Sequence, residues 1–316
     1  ELNKPETEAA RDKQEKIKEK FYLWVMSDPA RAKELADIYN RDFNNIVLRT
    51  YDGSHLNLPG ASRIIFEKLR KHQKTGIYRA LQGRNVLLAQ AVGAGKTWEI
   101  AGIAMESKRI GLFRKSVIAV PKNRLKASSA EFLQMYPAAN LLVADTQDLA
   151  EANRKVFKSR IATGNWDAII ISHNSFEKIR MSNETIQQFL DDQLKEFEDA
   201  IEYARSSEGR KGSTVKELEK AKKRFEAKIK GMMKTEEKDE GLSFEELGID
   251  QIIVDESQNY KSLFLITQMQ RIKGIPTSAA GRAFDMFMKT EYLNKMNNGK
   301  GVVFATGTPV TNTMAE

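Results

Sequence analysis

The chain has 316 residues, with 51 Lys and Arg against 43 Asp and Glu, a formal net charge of +8 and a pI near 9.3. That length holds one large or two ordinary domains with a real core, and the lack of cysteine with only three histidines, His55, His72 and His173, excludes a disulfide scaffold and a zinc cluster. No apolar run approaches the roughly 18 residues of a membrane span, so no membrane partner is expected, and the basic balance favours a polyanion such as nucleic acid.

The chain opens at Glu1 without a methionine or secretion signal and stops abruptly at Glu316, so it is expected to be a cytoplasmic piece of a longer polypeptide. Its first part is helical. Glu6 to Trp24 carries lysine and glutamate on most faces, with Ile17, Phe21 and Trp24 at helical spacing. Asp28 as cap and Pro29 at the first helical position start a second helix. Phe21, Trp24, Val25 and Tyr39 are expected to form a packing stripe rather than a binding surface. From Asn44 to Ser62 the text is loop-like, punctuated by Tyr51-Asp52-Gly53-Ser54 and Leu58-Pro59-Gly60. Residues 1–62 are therefore taken as a helical extension and lead-in, and 63–316 as the main domain.

Leu69-Arg70-Lys71-His72-Gln73 begins the next helix, to about Leu81. A glutamine placed here can offer a donor and an acceptor to the Hoogsteen edge of adenine, as Gln73 would; the ordinary reading is an exposed helix-start glutamine. Then Val86-Leu87-Leu88-Ala89 reads as a buried strand running into Gln90-Ala91-Val92-Gly93-Ala94-Gly95-Lys96-Thr97 and an amphipathic helix through about Lys108. This is a phosphate-binding loop in its expected setting. Gly93 and Gly95 let backbone N–H groups approach a polyphosphate with no Cβ in the way, Lys96 supplies a point charge and Thr97 a hydroxyl for magnesium. The helix opening at Lys96 adds its positive end. Gln90 departs from the strict pattern, which has glycine there.

Ser116 to Val120 reads as a strand ending in Pro121-Lys122-Asn123-Arg124-Leu125, Leu141 to Ala144 as another, and Ala168 to Ser172 as a third, after a helix over about Leu149 to Thr163. Nearly continuous hydrophobic strands alternating with helices mean a parallel sheet covered on both faces. Ligands gather at the carboxyl ends of such strands, so Pro121, Lys122, Asn123, Ser172, His173 and Asn174 should share a rim with the phosphate loop.

Between Arg180 and about residue 245 two long charged helices, Asn183 to Ser206 and Ser213 to Lys238, are expected to form an inserted antiparallel hairpin. Ile186, Phe189, Leu190, Leu194, Phe197, Ile201 and Tyr203 on one arm face Val215, Leu218, Phe225 and Ile229 on the other. The tip, with Arg210 and Lys211, is either solvated decoration or an arm that touches DNA or a partner.

The sheet returns at Gln251 to Val254 and ends in Asp255-Glu256-Ser257-Gln258. Two acids at a strand end near a phosphate site invite magnesium, held by Asp255, with Glu256 orienting and deprotonating a water. Ala280 to Asn297 reads as a crossover helix whose Phe284, Met286, Phe287 and Met288 face is core. The strand Gly301 to Ala305 is followed by Thr306, Gly307, Thr308 and Asn312, small polar residues able to hydrogen-bond the acidic pair and relay its state.

In this order, LRKHQ, AVGAGKT, VIAVPKNRL, IIISHNSF, IIVDESQNYK and VVFATGTPVTN resemble the first motor lobe of superfamily 2 helicases, and most closely the Swi/Snf-type DNA translocases. They correspond to the adenine-reading segment and motifs I, Ia, Ib, II and III, over Leu69 to Asn312. The YNRDFNN and YDGSHLNLPG stretches also resemble large helicase proteins of bacterial mobile elements and phages, some fused to an adenine-specific DNA methylase. The resemblance implies an α/β P-loop, RecA-like three-layer fold with a mostly parallel central sheet, whose parent enzyme hydrolyses ATP with Mg2+ to move along double-stranded DNA without sequence preference. By it, Gln73 reads adenine; Val92, Gly93, Ala94, Gly95, Lys96 and Thr97 hold the phosphates; Thr97 and Asp255 hold magnesium; and Lys96, Asp255, Glu256 and Gln258 serve hydrolysis. Pro121, Lys122, Asn123, Arg124, Ser172, His173 and Asn174 touch DNA backbone, and Thr306, Gly307 and Thr308 couple the two sites. Gln258 stands where many relatives carry histidine, and an arginine finger is expected from a second RecA-like lobe elsewhere in the parent. The alternative is an ATP-binding switch or scaffold of a restriction or methylation complex. A GTPase is disfavoured by the lack of an Asn-Lys-x-Asp guanine motif.

Overall fold

Six short runs of Val, Ile, Leu and Ala extend because branched side chains pack well on a pleated surface, and in the computed structural model all six join one sheet. The structure describes residues 4–45, 49–144, 147–148, 150–208, 213–236, 241–261, 263 and 281–310. In chain order the elements are α1 (Lys4–Met26), α2 (Pro29–Asp42), α3 (Arg63–Lys68), α4 (Lys71–Gln82), β1 (Val86–Ala89), α5 (Lys96–Arg109), β2 (Ser116–Val120), α6 (Leu125–Met135) and β3 (Leu141–Ala144). There follow α7 (Glu151–Thr163), β4 (Ala168–Ser172), α8 (His173–Phe176), α9 (Asn183–Glu208), α10 (Ser213–Glu236), β5 (Gln251–Asp255), α11 (Gly281–Met296) and β6 (Val302–Thr306).

The strand order is β1-β6-β5-β2-β4-β3 and every pairing is parallel. All residues of β2, β4 and β5 are buried, as strands covered on both faces must be. One face packs Ile77, Ile100, Ile103 and Phe132 from α4, α5 and α6; the other packs Phe157, Phe189, Phe284 and Leu293 from α7, α9 and α11. The result is the expected RecA-like three-layer α/β domain.

The chain divides into two compact units, Glu1–Thr50 and Tyr51–Glu316. The boundary thus falls earlier than residue 62, because the lead-in is built into the sheet unit. Gly53 lies so close to α4 that a Cβ there would sit 2.1 Å from the Lys74 carbonyl oxygen. Leu58 is buried in the same core as Tyr136, and the Ser62 N–H donates to the Met135 carbonyl at 2.6 Å.

In the first unit, Asp28 caps α2 by accepting from the Ala30 N–H at 2.9 Å, with Pro29 opening the helix. The expected packing stripe is corrected: Phe21, Trp24 and Tyr39 are 57%, 50% and 60% exposed. Two helices offer too little partner surface to cover them. Instead Phe21 lies 5.9 Å from the Trp24 ring, over which the Arg31 guanidinium sits at 4.1 Å.

In the second unit, α9 and α10 form the antiparallel hairpin, with rungs Glu198–Lys222 at 2.7 Å and Arg205–Glu219 at 2.8 Å. Its root is core rather than decoration: Phe189 meets Phe284 and Phe287 of α11 at ring separations of 5.5 and 5.4 Å. Farther out, Ile201, Ala204, Val215 and Leu218 form their own cluster. Tyr203 is turned off this face and exposed. Arg210, Lys211, Asn312 and the Ile229 side chain lie outside the described residues. Among the described residues no helix is long and apolar enough to cross a membrane.

Candidate functional site

The carboxyl ends of β1, β6, β5, β2 and β4 place the loops after each strand along one rim. After β1 the chain turns through Gly93 (φ +81°) and Gly95 (φ +86°), both in the left-handed region that favours glycine. Gly95 is also needed for space, since a Cβ there would lie 2.3 Å from Gln73 Nε2. α5 starts at once at Lys96, so its unpaired N–H groups and positive end face the loop. Val92 and Gly93 are exposed at the tip. Lys96 is nearly buried, and its Nζ donates to the carbonyls of Ala91 at 3.1 Å and Gln90 at 3.3 Å.

Gln73 is not the exposed glutamine of the ordinary reading. It is 2% exposed, its Oε1 accepts from the Arg70 N–H at 2.8 Å and its Nε2 donates to the Gly95 carbonyl at 3.0 Å. One end of the amide therefore caps its own helix while the other braces the loop. His72, which the sequence did not single out, does the same one residue earlier, its Nε2 donating to the Ala94 carbonyl at 3.0 Å. Beside them lies a cavity of about 400 Å³ lined by Lys68, Arg70, Gln73, Gly93, Gly95, Thr97 and Glu131 among others.

The acids end β5 two strands away from β1. Asp255 is 7% exposed and lines, with Thr97, a small cavity under the rim. Burial pushes the Asp255 carboxyl above its ordinary range and neighbouring Glu256 pushes the same way, while the Glu256 N–H, Lys96 and Arg124 oppose them. Thr97, the residue after Lys96, thus shares that small cavity with Asp255. Glu256 adopts φ +54°, ψ +51°, a strained conformation for a residue with a Cβ. Gln258 Nε2 donates to Glu256 Oε2 at 2.6 Å, Thr306 Oγ1 donates to Gln258 Oε1 at 2.7 Å, and the Thr308 N–H donates to Thr306 Oγ1 at 3.0 Å. A continuous hydrogen-bonded chain therefore runs from the second acid to the end of β6. The same end meets the loop: the Gln90 N–H donates to the Thr306 carbonyl at 3.1 Å, and a Cβ on Gly307 would lie 2.7 Å from Val92 Cγ2 and 3.6 Å from Lys96 Nζ.

Along the rest of the rim, Lys122 and Asn123 are exposed in the turn after β2 with Pro121 half-buried, and Arg124 is half-buried, its Nη2 3.2 Å from Glu131 Oε1. After β4 the expectation needs correcting. Ser172 and His173 are each 3% exposed, so neither side chain reaches a surface where DNA backbone could touch it. Ser172 is spent capping the α8 turn, accepting from the Ser175 N–H at 3.2 Å. Burial pushes His173 below its ordinary pKa, against the raising effect of its bonds to the carbonyls of Asp255 and Ala119. Only Asn174 is exposed, with its Oδ1 accepting from Arg282 Nη2 at 2.6 Å.

Under the loop, Gln90 occupies the departed glycine position by pairing its Nε2 with Glu99 Oε2 at 2.9 Å. Glu99 is fully buried and packs against Gly76, where a Cβ would fall 2.2 Å from its Oε2. Burial pushes its carboxyl up to about 8, opposed by the Gln90 hydrogen bond and the Lys96 charge.

A glycine turn between a buried strand and a helix, set against acids at the end of a nearby parallel strand, defines a P-loop type of α/β domain. The chain belongs to the family described as "Probable helicase domain", which matches residues 80–316. Residues 1–45 match a separate family described only as a domain of unknown function. The chain is also similar to "Defense against restriction protein B" of Escherichia phage P1, at 25% identity over 339 residues. That alignment takes in 94% of this chain but 15% of the phage protein.

Proposed function

We propose that this chain is the ATP-binding first lobe of a translocase that couples ATP hydrolysis to movement on double-stranded DNA. The observation that carries the reading is that Thr97, next to Lys96, lines one cavity with Asp255, while the Glu256–Gln258–Thr306 chain joins the second acid to the end of β6 that meets the glycine turn. Lys96 leaves two backbone carbonyls to hold the β- and γ-phosphates, and the loop N–H groups of residues 93–97 take the remaining oxygens. Glu256, fixed through one oxygen by Gln258, orients a water in line with the γ-phosphate and takes its proton. The residues fit magnesium: Asp255 is a buried acid at the end of β5, and Thr97 offers a hydroxyl on the same small cavity. Magnesium, when bound, offsets charge on the phosphate oxygens. Gln73 contacts adenine by exchanging its bonds to Arg70 and Gly95 for the base.

Lys122, Asn123 and Asn174 are the rim side chains that face outward to contact DNA phosphates, with Arg124 behind them. Binding to phosphates alone is sequence-tolerant and weakens steeply with salt. The Thr306 chain carries the state of the nucleotide side towards that rim. An arginine finger is typically worth ~10³ to 10⁵ in rate, so the isolated lobe turns over slowly and needs a second lobe of the parent chain. The phage relative's name supports a setting in restriction defence, which also suits a switch or scaffold with little motor activity, fused to a DNA methylase in some parents.

The deciding experiment measures ATPase of the full-length parent with and without double-stranded DNA. Stimulation is expected; none would defeat the motor reading and leave the switch. Competition between ATP and GTP tests the adenine contact, and a preference for GTP would remove Gln73 from its role.

A further inference from the structure

His173 sits at the end of β4, yet its imidazole reaches over β2 to the backbone of β5. Its Nε2 lies 2.9 Å from the Asp255 carbonyl oxygen, which can only accept, so Nε2 carries the proton. On the other side Nδ1 faces the Asn259 amide at 3.4 Å, and the Tyr260 ring packs edge-on with the two ring centres 5.1 Å apart. The reason for the reach lies in β2. Its ladder with β5 ends at the pair Ala119↔Val254, and two residues on stands Pro121, which has no N–H to continue the ladder. The imidazole supplies a donor where the strand has none.

The residue it holds is the one before the strained Glu256. A left-handed non-glycine backbone persists only when its surroundings over-determine it. Here His173 fixes the peptide on one side and Gln258 the Glu256 side chain on the other. The next residue after His173 is exposed Asn174, which Arg282 of α11 grips together with Glu177. One short turn thus joins the outward rim to the acids.

We infer that His173 is a positioning residue: its hydrogen bond to the Asp255 carbonyl sets the Asp255–Glu256 turn for divalent-cation binding and links that turn to the rim at Asn174. The inference rests on the reading of this site as an ATP site. His173→Phe keeps a ring of similar size and removes the donor; His173→Gln restores an N–H at similar reach. Two measurements on the whole chain test it. First, ATP affinity is measured by calorimetry with Mg2+ and with EDTA. His173→Phe is expected to lose about tenfold of the Mg2+-dependent gain, the size of one hydrogen bond, with affinity in EDTA unchanged and His173→Gln recovering most of the gain. An equal fall in EDTA, or no recovery with glutamine, would overturn the positioning role. Second, amide exchange of residues 255–259 should quicken by about tenfold in His173→Phe and not in His173→Gln; unchanged exchange would overturn it. The exchange experiment needs no nucleotide. If the wild type binds no ATP, the ATP reading fails while the exchange result still decides the role of His173.

Discussion

Lys289 gives the sharpest test of what holds the sheet unit together. The side chain is completely buried in α11; its Nζ donates to the Phe176 carbonyl at 3.0 Å and to Asp285 Oδ2 at 2.6 Å, and lies 4.3 Å from the Phe176 ring centre. Burial pushes the Asp285 carboxyl up, and Lys289 is the first group opposing it. Lys289→Met keeps the length and apolar stem but leaves that carboxyl without its counter-charge. Breaking a buried pair from one side typically removes ~3–5 kcal/mol, and in a domain of this size each kcal/mol moves Tm by roughly 2–4 °C. Thermal and urea unfolding of the chain should therefore show a fall of roughly 6–20 °C. Adding Asp285→Leu should restore most of it, because a well-packed apolar pair can replace a buried ionic one. A loss below about 1 kcal/mol in the single variant, or a double variant worse than the single one, would refute the reasoning.

The remaining expectations concern the site. Gly95→Ala places a methyl on a backbone at φ +86° and 2.3 Å from Gln73 Nε2, so it should lower stability by about 1–2 kcal/mol and abolish nucleotide binding in a calorimetric titration. Glu256→Gln in the full-length parent should retain ATP binding and lose turnover; unaltered steady-state hydrolysis would require another base. Glu99 has its carboxyl raised from the ordinary 4.5 to about 8, so the stability it allows is fully present below the lower value and lost as pH rises through the higher. At about 1.4 kcal/mol per pH unit, this amounts to at most about 5 kcal/mol between those limits. Glu99→Gln should flatten that decline in urea midpoints measured from pH 5 to 9, and an equally steep variant would show that another group titrates.

Much of this was legible in the sequence because the sheet is parallel and buried. Each strand is a near-continuous run of branched side chains, and each ends in the small or charged residues that form the rim, so order and ends could be read together. The types needed for the Glu256–Gln258–Thr306 chain were visible, although not that Gln258 would be its middle link. What escaped was long-range. Nothing local says that Gly53 must lie against Lys74, so the unit boundary was read late. A histidine just past a strand reads as surface, and the missing N–H of Pro121, just past the neighbouring strand β2, explains why His173 turns inward. Gln90 looked like a departure from a motif because its partner Glu99 sits beyond the loop, where helical periodicity marks it only as a buried face.

The position of β6 against β1 bears on how the protein is made. The Val302 N–H donates to Asn85 Oδ1 across 217 residues, and the Gln90 N–H reaches the Thr306 carbonyl. The strand that leads into the glycine turn is therefore written early and paired last. During synthesis, β1 waits as an unpaired edge until nearly the whole sheet unit has left the ribosome, the stage at which exposed strands invite aggregation. Chains cut short before Val302 should accumulate in inclusion bodies, whereas those extending past Thr306 can close the sheet.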